Sequence, residues 1–184
     1  AAWAELAEQC EAAQLRPAAV VHASSTAGTH GGLLAGRAVW AATGEAAPDV
    51  IAVDVAKDSD DLAGDALRIA GEALQSIDLG DVPVDAALVE LDERWVGPAY
   101  AVPSDDGDAA VTWAARHGAW VLDRTYTGKA FAGLLGLAEE GRFAPDSTVV
   151  FWHTGGFPAV FAPGGAVVPD PTPTVTTPQT QEIP

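Results

Sequence analysis

Short apolar runs alternate with helical patterns along most of the chain, and this alternation constrains the fold more than any other feature of the sequence. The runs at 18–23 and 49–55 consist mainly of Ala, Val and Ile, which is typical of strands buried on both faces of a parallel sheet. A β-branched and aromatic run predicts a strand at 148–152, and weaker runs predict strands at 86–91 and 119–122. Helices are predicted over 3–15, 33–40, 58–77, 105–117 and 128–140. Strands and helices that alternate at this spacing predict a layered α/β fold with a mostly parallel sheet.

The chain divides into one α/β domain and a C-terminal segment of different composition. Residues 1–165 carry the alternating pattern, and their number suits one ordinary domain with its own core. From Ala162 onward the sequence holds six of the 13 prolines and a run of threonines, without a periodic apolar face. We therefore predict a Pro/Thr-rich tail at 166–184 that is extended or disordered. The chain contains no methionine, and we expect it to be a fragment or a processed part of a longer protein.

Charge and composition exclude several kinds of partner. The chain has 26 acidic and 9 basic side chains, a formal net charge of −17, so it has no basic stripe to neutralise the phosphates of a nucleic acid. The same charge disfavours an anionic membrane surface, and no apolar run approaches the roughly 18–20 residues that span a bilayer. The single cysteine, Cys10, cannot form a disulfide within the chain, which favours a reducing cytoplasm. We predict no metal site.

The loop at 24–32 is the strongest physical signal for a binding site. It joins a predicted strand to a predicted helix and is rich in glycine and in hydroxyl side chains (Ser24, Ser25, Thr26 and Thr29). Small residues at the start of a helix let an anion approach the backbone N–H groups, and hydroxyls add donors. The loop is neither a Walker loop nor a Gly-x-Gly-x-x-Gly fingerprint. It predicts a phosphate site, with a tight turn whose glycines serve packing alone as the alternative.

Three other segments place polar or aromatic side chains near the ends of predicted strands. Tyr126 lies at a strand-to-helix junction, where open parallel sheets bind ligands, although a tyrosine there is more often a packing residue. His153 follows the strand at 148–152 and is a candidate general base, but a lone histidine beside apolar residues is more often structural. The segment 95–100, Trp-Val-Gly-Pro-Ala-Tyr, is an aromatic loop suited to form the wall of a small pocket.

Four segments, in this order and at this spacing, resemble one enzyme family. They are Ser-Ser-Thr-Ala-Gly-Thr-His-Gly-Gly-Leu-Leu-Ala-Gly at 24–36, Trp-Val-Gly-Pro-Ala-Tyr at 95–100, Leu-Asp-Arg-Thr-Tyr-Thr-Gly-Lys-Ala at 122–130 and Phe-Trp-His-Thr-Gly-Gly at 151–156. Together they resemble D-cysteine desulfhydrases and 1-aminocyclopropane-1-carboxylate (ACC) deaminases, pyridoxal-phosphate enzymes of the tryptophan-synthase-β fold (fold type II). The resemblance covers residues 1–165 and only the C-terminal half of such an enzyme, which implies an incomplete version of that fold.

The resemblance implies a pyridoxal 5′-phosphate cofactor and assigns residues to it. The family loop that cradles the cofactor phosphate corresponds to Ser25, Thr26, Ala27, Gly28 and Thr29. Thr127 matches the residue that faces the pyridine nitrogen, and Thr154 and Gly155 match the turn that closes that side of the ring. Tyr100 and Tyr126 match tyrosines that line the substrate pocket. The resemblance also implies a small amino-acid substrate and, for the full-length protein, a homodimer.

Position 127 bears on the reaction. The cyclopropane-opening deaminases of the family carry a glutamate there, which keeps the ring nitrogen protonated, whereas the Thr127 hydroxyl would hold that proton less firmly. The resemblance therefore favours β-elimination from D-cysteine or a similar amino acid, with pyruvate, sulfide and ammonia as products. Ala99 and Ala101 replace glycines of the family pattern, so the resemblance does not determine the identity of the substrate. The alternatives are an ACC deaminase and a non-catalytic α/β module that binds phosphate.

The Schiff-base lysine of the family has no counterpart in the four segments. The two lysines of this chain do not match it, since Lys57 lies outside the motifs and Lys129 belongs to the Tyr-x-Gly-Lys turn. Covalent catalysis with this cofactor requires such a lysine. We therefore predict that the full-length protein is a lyase or deaminase and that this chain alone is inactive.

Overall fold

The computed structural model describes residues 2–162 and 164. Its helices are α1 (Ala2–Ala12), α2 (Gly28–Ala41), α3 (Leu62–Gln75), α4 (Asp105–Gly118), α5 (Thr127–Glu139) and α6 (Phe157–Val160). Its strands are β1 (Pro17–Ser24), β2 (Asp49–Asp54), β3 (Glu90–Asp92) and β4 (Thr148–Trp152). The tail that we predicted at 166–184 lies outside the described residues.

The four strands form one parallel sheet in the order β3–β2–β1–β4. Strands β1 and β2 are interior, and Val21 of β1 pairs with Ile51 of β2 on one side and with Phe151 of β4 on the other. The last six residues of β1 are all buried, which explains why this segment is an almost uninterrupted apolar run. The predicted α/β fold with a parallel sheet is confirmed.

Helices cover both faces of the sheet. On one face, α1, α2 and α3 pack over Val20 and Val50. On the other face, α5 packs over Val21 and Val53, and α4 packs against α5. Across the described residues, no helix is both long enough and apolar enough to cross a bilayer.

Two glycines allow α2 to pack closely against its neighbours. A Cβ atom on Gly31 would lie 2.6 Å from Cγ2 of Ile69 in α3, and one on Gly36 would lie 2.4 Å from Cβ of Trp3 in α1. Real Cβ atoms do not approach so closely, so only glycine fits at both positions. These contacts hold α2 with its N-terminus at the carboxyl end of β1.

Two helices begin more than one residue away from their predicted starts. The N-terminus of α2 is at Gly28, within the segment that we had interpreted as a loop. The N-terminus of α3 is at Leu62 rather than at 58, because the Asp61 carboxylate accepts the N–H of Gly64 and caps the helix there.

One predicted strand was wrong in part, and another was wrong entirely. The segment 86–91 begins with a 3₁₀ turn at Ala86–Leu88, and only its end joins β3. Within the described chain, residues 119–122 form no strand: Ala119 ends α4 in the left-handed region (φ 54°), and Trp120 and Val121 are exposed. The short helix α6 was not predicted.

Candidate functional site

The candidate site lies at the carboxyl edge of the sheet, where the loops after β1 and β2 meet the start of α5. The hydroxyl of Ser25, after β1, donates to the carboxylate of Asp58, after β2, at 3.4 Å. The pKa of Tyr126 at the start of α5 is raised mainly by its hydrogen bond with Tyr100 and, to the smallest degree, by the charge of Asp58, so Asp58 lies in the surroundings of Tyr126. The loop after β4 reaches the same place, because a Cβ on Gly156 would lie 2.2 Å from Oδ1 of Asp123. The segments that stood out in the sequence therefore meet at the edge where open parallel sheets bind ligands.

The turn between β1 and α2 leaves backbone donors free for an anion. Ala27 precedes the helix with a left-handed backbone (φ 61°), and among the described residues no side chain caps α2. By contrast, Asp61 caps α3 and Ser104 caps α4 through their side-chain oxygens. The uncapped first N–H groups of α2, together with the helix dipole, favour a negatively charged group at this turn.

The five residues predicted to cradle a phosphate differ in their exposure. Thr26, Gly28 and Thr29 are exposed, Ser25 is half-buried, and Ala27 is buried at 1% exposure. A Cβ on Gly28 would meet no atom within 4 Å, so the approach to the backbone is open on that side. Gly28 and Thr29 line an open cleft of about 820 Å³ that extends along α2. The geometry of this loop fits a phosphate group, with Ala27 forming the turn rather than facing the ligand.

Beneath this loop lies a buried polar cluster that the sequence does not single out. His22 and Ser24 on β1 and His30 on α2 are nearly inaccessible, and the two imidazole rings lie 5.2 Å apart in an edge-to-face arrangement. Within the described residues, Nε2 of His22, Oγ of Ser24 and both ring nitrogens of His30 have no hydrogen-bond partner. Burial lowers the pKa of His22 to about 4 and that of His30 to about 3, so both rings are neutral at pH 7. The only sequence signal is the same-face spacing of His22 and Ser24 in the strand.

The structure brings Tyr100 and Tyr126 together, although they are 26 residues apart in the chain. Their hydroxyl groups form a hydrogen bond, and their ring centroids lie 5.9 Å apart. This hydrogen bond, followed by burial and by the negative charges nearby, raises the pKa of Tyr126 to about 12. Tyr126 is therefore protonated at neutral pH, and the pair offers a hydrogen-bond donor to a ligand rather than a base.

Thr127 is fully buried, and its hydroxyl is already occupied by Asp123. It donates to Oδ1 of Asp123 at 2.7 Å and accepts the backbone N–H of Asp123 at 2.9 Å. The Asp123 carboxylate also accepts the N–H groups of Thr125, Tyr126 and Thr127. A hydroxyl has one hydrogen, so in this arrangement Thr127 has none to donate to a ring nitrogen. Asp123 organises the first turn of α5, a role that the sequence analysis missed although an acidic residue just before a helix is a common signal.

The glycine-rich turn after β4 engages both nitrogens of His153. Nε2 donates to the carbonyl of Val121 at 3.0 Å, and Nδ1 accepts the N–H of Gly155 at 3.3 Å. With both nitrogens used in this way, His153 is a structural residue of the turn rather than a general base. Thr154 is exposed, and Gly155 adopts a φ of 123° that only glycine adopts without strain.

The two lysines lie in different environments. Lys129 is fully buried, and its Nζ donates to the carbonyls of Val96 at 2.7 Å and Ala99 at 3.0 Å. Burial lowers the pKa of Lys129, and the charge of Asp123 opposes this effect. Lys57 is exposed and precedes Asp58, so its loop contacts the anion-binding turn, although we had placed Lys57 outside the motifs.

Comparison with known proteins identifies the family and the fold. A family described as "Pyridoxal-phosphate dependent enzyme" matches residues 2–155. A solved structure described as an ACC deaminase homologue superposes with a TM-score of 0.72 at 25% sequence identity. The match covers 87% of this chain and 45% of that one, so the chain spans less than half the length of the solved protein. The predicted resemblance and fold type are confirmed, and the chain belongs to the family of pyridoxal-phosphate-dependent enzymes.

Proposed function

We propose that this chain is the phosphate-binding part of a lyase or deaminase that acts on a small amino acid with pyridoxal phosphate. The observation that carries the proposal is the uncapped N-terminus of α2, open at Gly28 and flanked by the exposed hydroxyls of Thr26 and Thr29. The backbone N–H groups of this turn would hold the phosphate. We further propose that the full-length protein works in the cytoplasm as a homodimer, in keeping with the single cysteine and the family resemblance.

When bound, pyridoxal phosphate supplies an electron sink for negative charge that develops next to the amino group of the substrate. The residues of this chain would bind the cofactor and control protons around it. The phosphate-binding turn fixes one end of the cofactor, because each charge-assisted hydrogen bond contributes about 1.5–3 kcal/mol. The tyrosine pair uses one of its two hydroxyl hydrogens in the bond between them, and the other would donate a hydrogen bond towards negative charge that develops on the leaving group.

The preferred reaction is β-elimination from D-cysteine or a similar substrate, which yields pyruvate, sulfide and ammonia. Two observations support it over ring opening. Position 127 carries no carboxylate, and the Thr127 hydroxyl hydrogen is directed to Asp123, so the side chain at this position does not supply a proton to the ring nitrogen. A less protonated ring is a weaker electron sink, which suits a substrate with a good leaving group. ACC deamination is the second candidate, since the solved relative is described as an ACC deaminase homologue.

We also propose that this chain alone lacks catalytic activity. Lys129 is buried and bound to two carbonyl oxygens, so it is not presented to a ligand. Lys57 is exposed on the loop after β2, outside any apolar pocket of the kind that activates a lysine amine as a nucleophile. Neither lysine is therefore suited to form the covalent link to the cofactor.

The anion site is tested by replacing Gly28 with valine, which fills the open approach to the backbone. A matched control is Gly71→Val, because Gly71 also lies in a helix with nothing within 4 Å of its Cβ position. Binding of pyridoxal phosphate to the purified chain, measured by calorimetry, should weaken at least about tenfold in Gly28→Val and stay unchanged in Gly71→Val. Pyridoxal without its phosphate should bind both variants alike. Equal affinity of the wild-type chain and Gly28→Val for pyridoxal phosphate would refute the site.

A further inference from the structure

A buried lysine connects the two segments that carry the tyrosine pair. Nζ of Lys129 on α5 reaches the carbonyls of Val96 and Ala99 in the loop before α4, 33 and 30 residues earlier in the chain. The side chain is completely inaccessible. Burying an amine is costly unless hydrogen bonds replace its water, so these two carbonyls are the reason that Lys129 is tolerated here.

The two ends of this connection coincide with the two tyrosines. The carbonyl of Ala99 also accepts the N–H of Val102 at 3.2 Å, which closes the turn that carries Tyr100. At the other end, Lys129 lies three residues after Tyr126, which places both at the start of α5 on neighbouring positions of the helix surface. A single nitrogen therefore links the turn of Tyr100 to the helical turn of Tyr126.

We propose that Lys129 is a positioning residue for the tyrosine pair. Its two hydrogen bonds hold the 96–99 loop against α5, and this keeps the hydroxyl of Tyr100 in contact with the hydroxyl of Tyr126. The inference rests on the proposed function only where it treats the pair as part of a substrate pocket. The contact between the hydroxyls can be measured without cofactor or substrate. A failure of this inference can therefore be distinguished from a failure of phosphate binding at α2.

The tyrosine pair offers a direct readout, because Tyr100 and Tyr126 are the only tyrosines of the chain. The titratable groups that influence the pKa of Tyr126 are Tyr100, Asp123 and Asp58, and the hydrogen bond between the two tyrosine hydroxyls has the largest effect. In Lys129→Met the methylene stem is preserved in part, but both donated hydrogen bonds are lost. Released from α5, Tyr100 would leave Tyr126, whose pKa should then fall from about 12 towards the ordinary phenol value of about 10.

The direction of this change separates positioning from a simple charge effect. Removing a nearby cation makes a phenolate less favourable and so raises a phenol pKa, whereas losing the Tyr100 contact lowers it. The experiment is an NMR titration of the chain labelled with ¹³Cζ-tyrosine, and Tyr100→Phe shows the value that Tyr126 has without its partner. The control is Lys57→Met, which removes the other, exposed lysine and should leave the pKa of Tyr126 at about 12. An unchanged or raised pKa in folded Lys129→Met overturns the proposal.

The wild-type chain supplies a second measurement, which decides the matter if Lys129→Met does not fold. In ¹⁵N-lysine-labelled protein the Nζ hydrogens of Lys129 should exchange with water about ten times more slowly than those of Lys57 or slower still, because they are buried and hydrogen-bonded. A nuclear Overhauser effect should also connect the two tyrosine rings. Equal exchange rates for both lysines, or tyrosine rings that are not in contact, would overturn the proposal independently of any substitution.

Discussion

The carboxylate of Asp123 organises the start of α5, and replacing one of its oxygens tests how the site is built. Its Oδ2 accepts the N–H groups of Thr125 at 2.7 Å and Tyr126 at 2.8 Å, and its Oδ1 accepts the N–H of Thr127 at 2.9 Å and the hydroxyl of the same residue at 2.7 Å. In Asp123→Asn the amide oxygen can serve only one of these two pairs. The amide NH₂ group then faces the two donors of the other pair, and those donors lose their acceptor.

The expected cost follows from these two donors. A buried donor without a partner costs about 1–3 kcal/mol, so two of them lower the free energy of unfolding by about 2–6 kcal/mol. We expect a value near the middle of this range, because Asp123 itself is 1% exposed and water does not reach the amide. Urea unfolding followed by far-ultraviolet circular dichroism measures the change, and the slope with urea should stay the same if only stability is altered.

A matched control is Asp61→Asn at the start of α3. The Asp61 side chain also accepts a backbone N–H, from Gly64 at 2.9 Å, but it is exposed and makes one such bond to the helix. Asn caps helices about as well as Asp, so this substitution should cost less than about 1 kcal/mol. If Asp123→Asn proves as mild as Asp61→Asn, the carboxylate does not organise α5 in the way that the hydrogen bonds indicate.

Two further predictions concern acid stability and covalent chemistry. The folded-state pKa values of His22 (about 4) and His30 (about 3) lie below the value of about 6.5 in the unfolded chain, so only the unfolded state gains protons as the pH falls from 6.5 towards 4. Each histidine should therefore lower the free energy of unfolding by about 2 kcal/mol at pH 5. Urea unfolding at pH 7 and pH 5 measures this decrease, which should be smaller in His30→Phe than in the wild-type chain. An equal decrease in the variant would contradict this reasoning. In the second, the purified chain treated with pyridoxal phosphate and borohydride should show no stoichiometric adduct on Lys57 or Lys129 by mass spectrometry, and no sulfide release from D-cysteine. A stoichiometric adduct with sulfide release would show that the chain is active by itself.

The alternation of apolar runs predicted the sheet well because β1 and β2 are buried on both faces, which selects a continuous apolar sequence. The same reasoning failed at 119–122, where Trp120 and Val121 are apolar but exposed. An apolar run shows only which residues are present. It does not show whether a neighbouring strand lies beside the segment to form backbone hydrogen bonds with it. The predicted start of α2 was wrong for a related reason. Glycine and hydroxyl residues have low helix propensity, but the packing of Gly31 against Ile69 stabilises the helical conformation of this segment.

The site was predictable where its residues carry a local pattern and was missed where distant contacts define it. Clustered hydroxyls beside glycines pointed to the turn at the start of α2. The sequence gives no sign that the hydrogen of Thr127 is directed to Asp123, or that His30 packs against His22, because these contacts depend on side-chain geometry. The bond between Lys129 and the loop at 96–99 spans about a sixth of the chain length and could not be read from spacing.

The helix termini at the edge of the sheet differ in a way that bears on where an anion would bind. Asp61 caps α3, Ser104 caps α4, and the carboxylate of Asp123 holds the first turn of α5. Among the described residues, α2 has neither a side-chain cap nor an acidic residue in its first turn, although the chain has 26 acidic residues. An anion at α5 would meet the charge of Asp123, whereas at α2 it would meet uncapped N–H groups, with Asp58 bonded to the Ser25 hydroxyl as the neighbouring carboxylate. Because a helix dipole favours a negative group only where none is already present, this difference supports placing the phosphate at the β1–α2 turn rather than at α5.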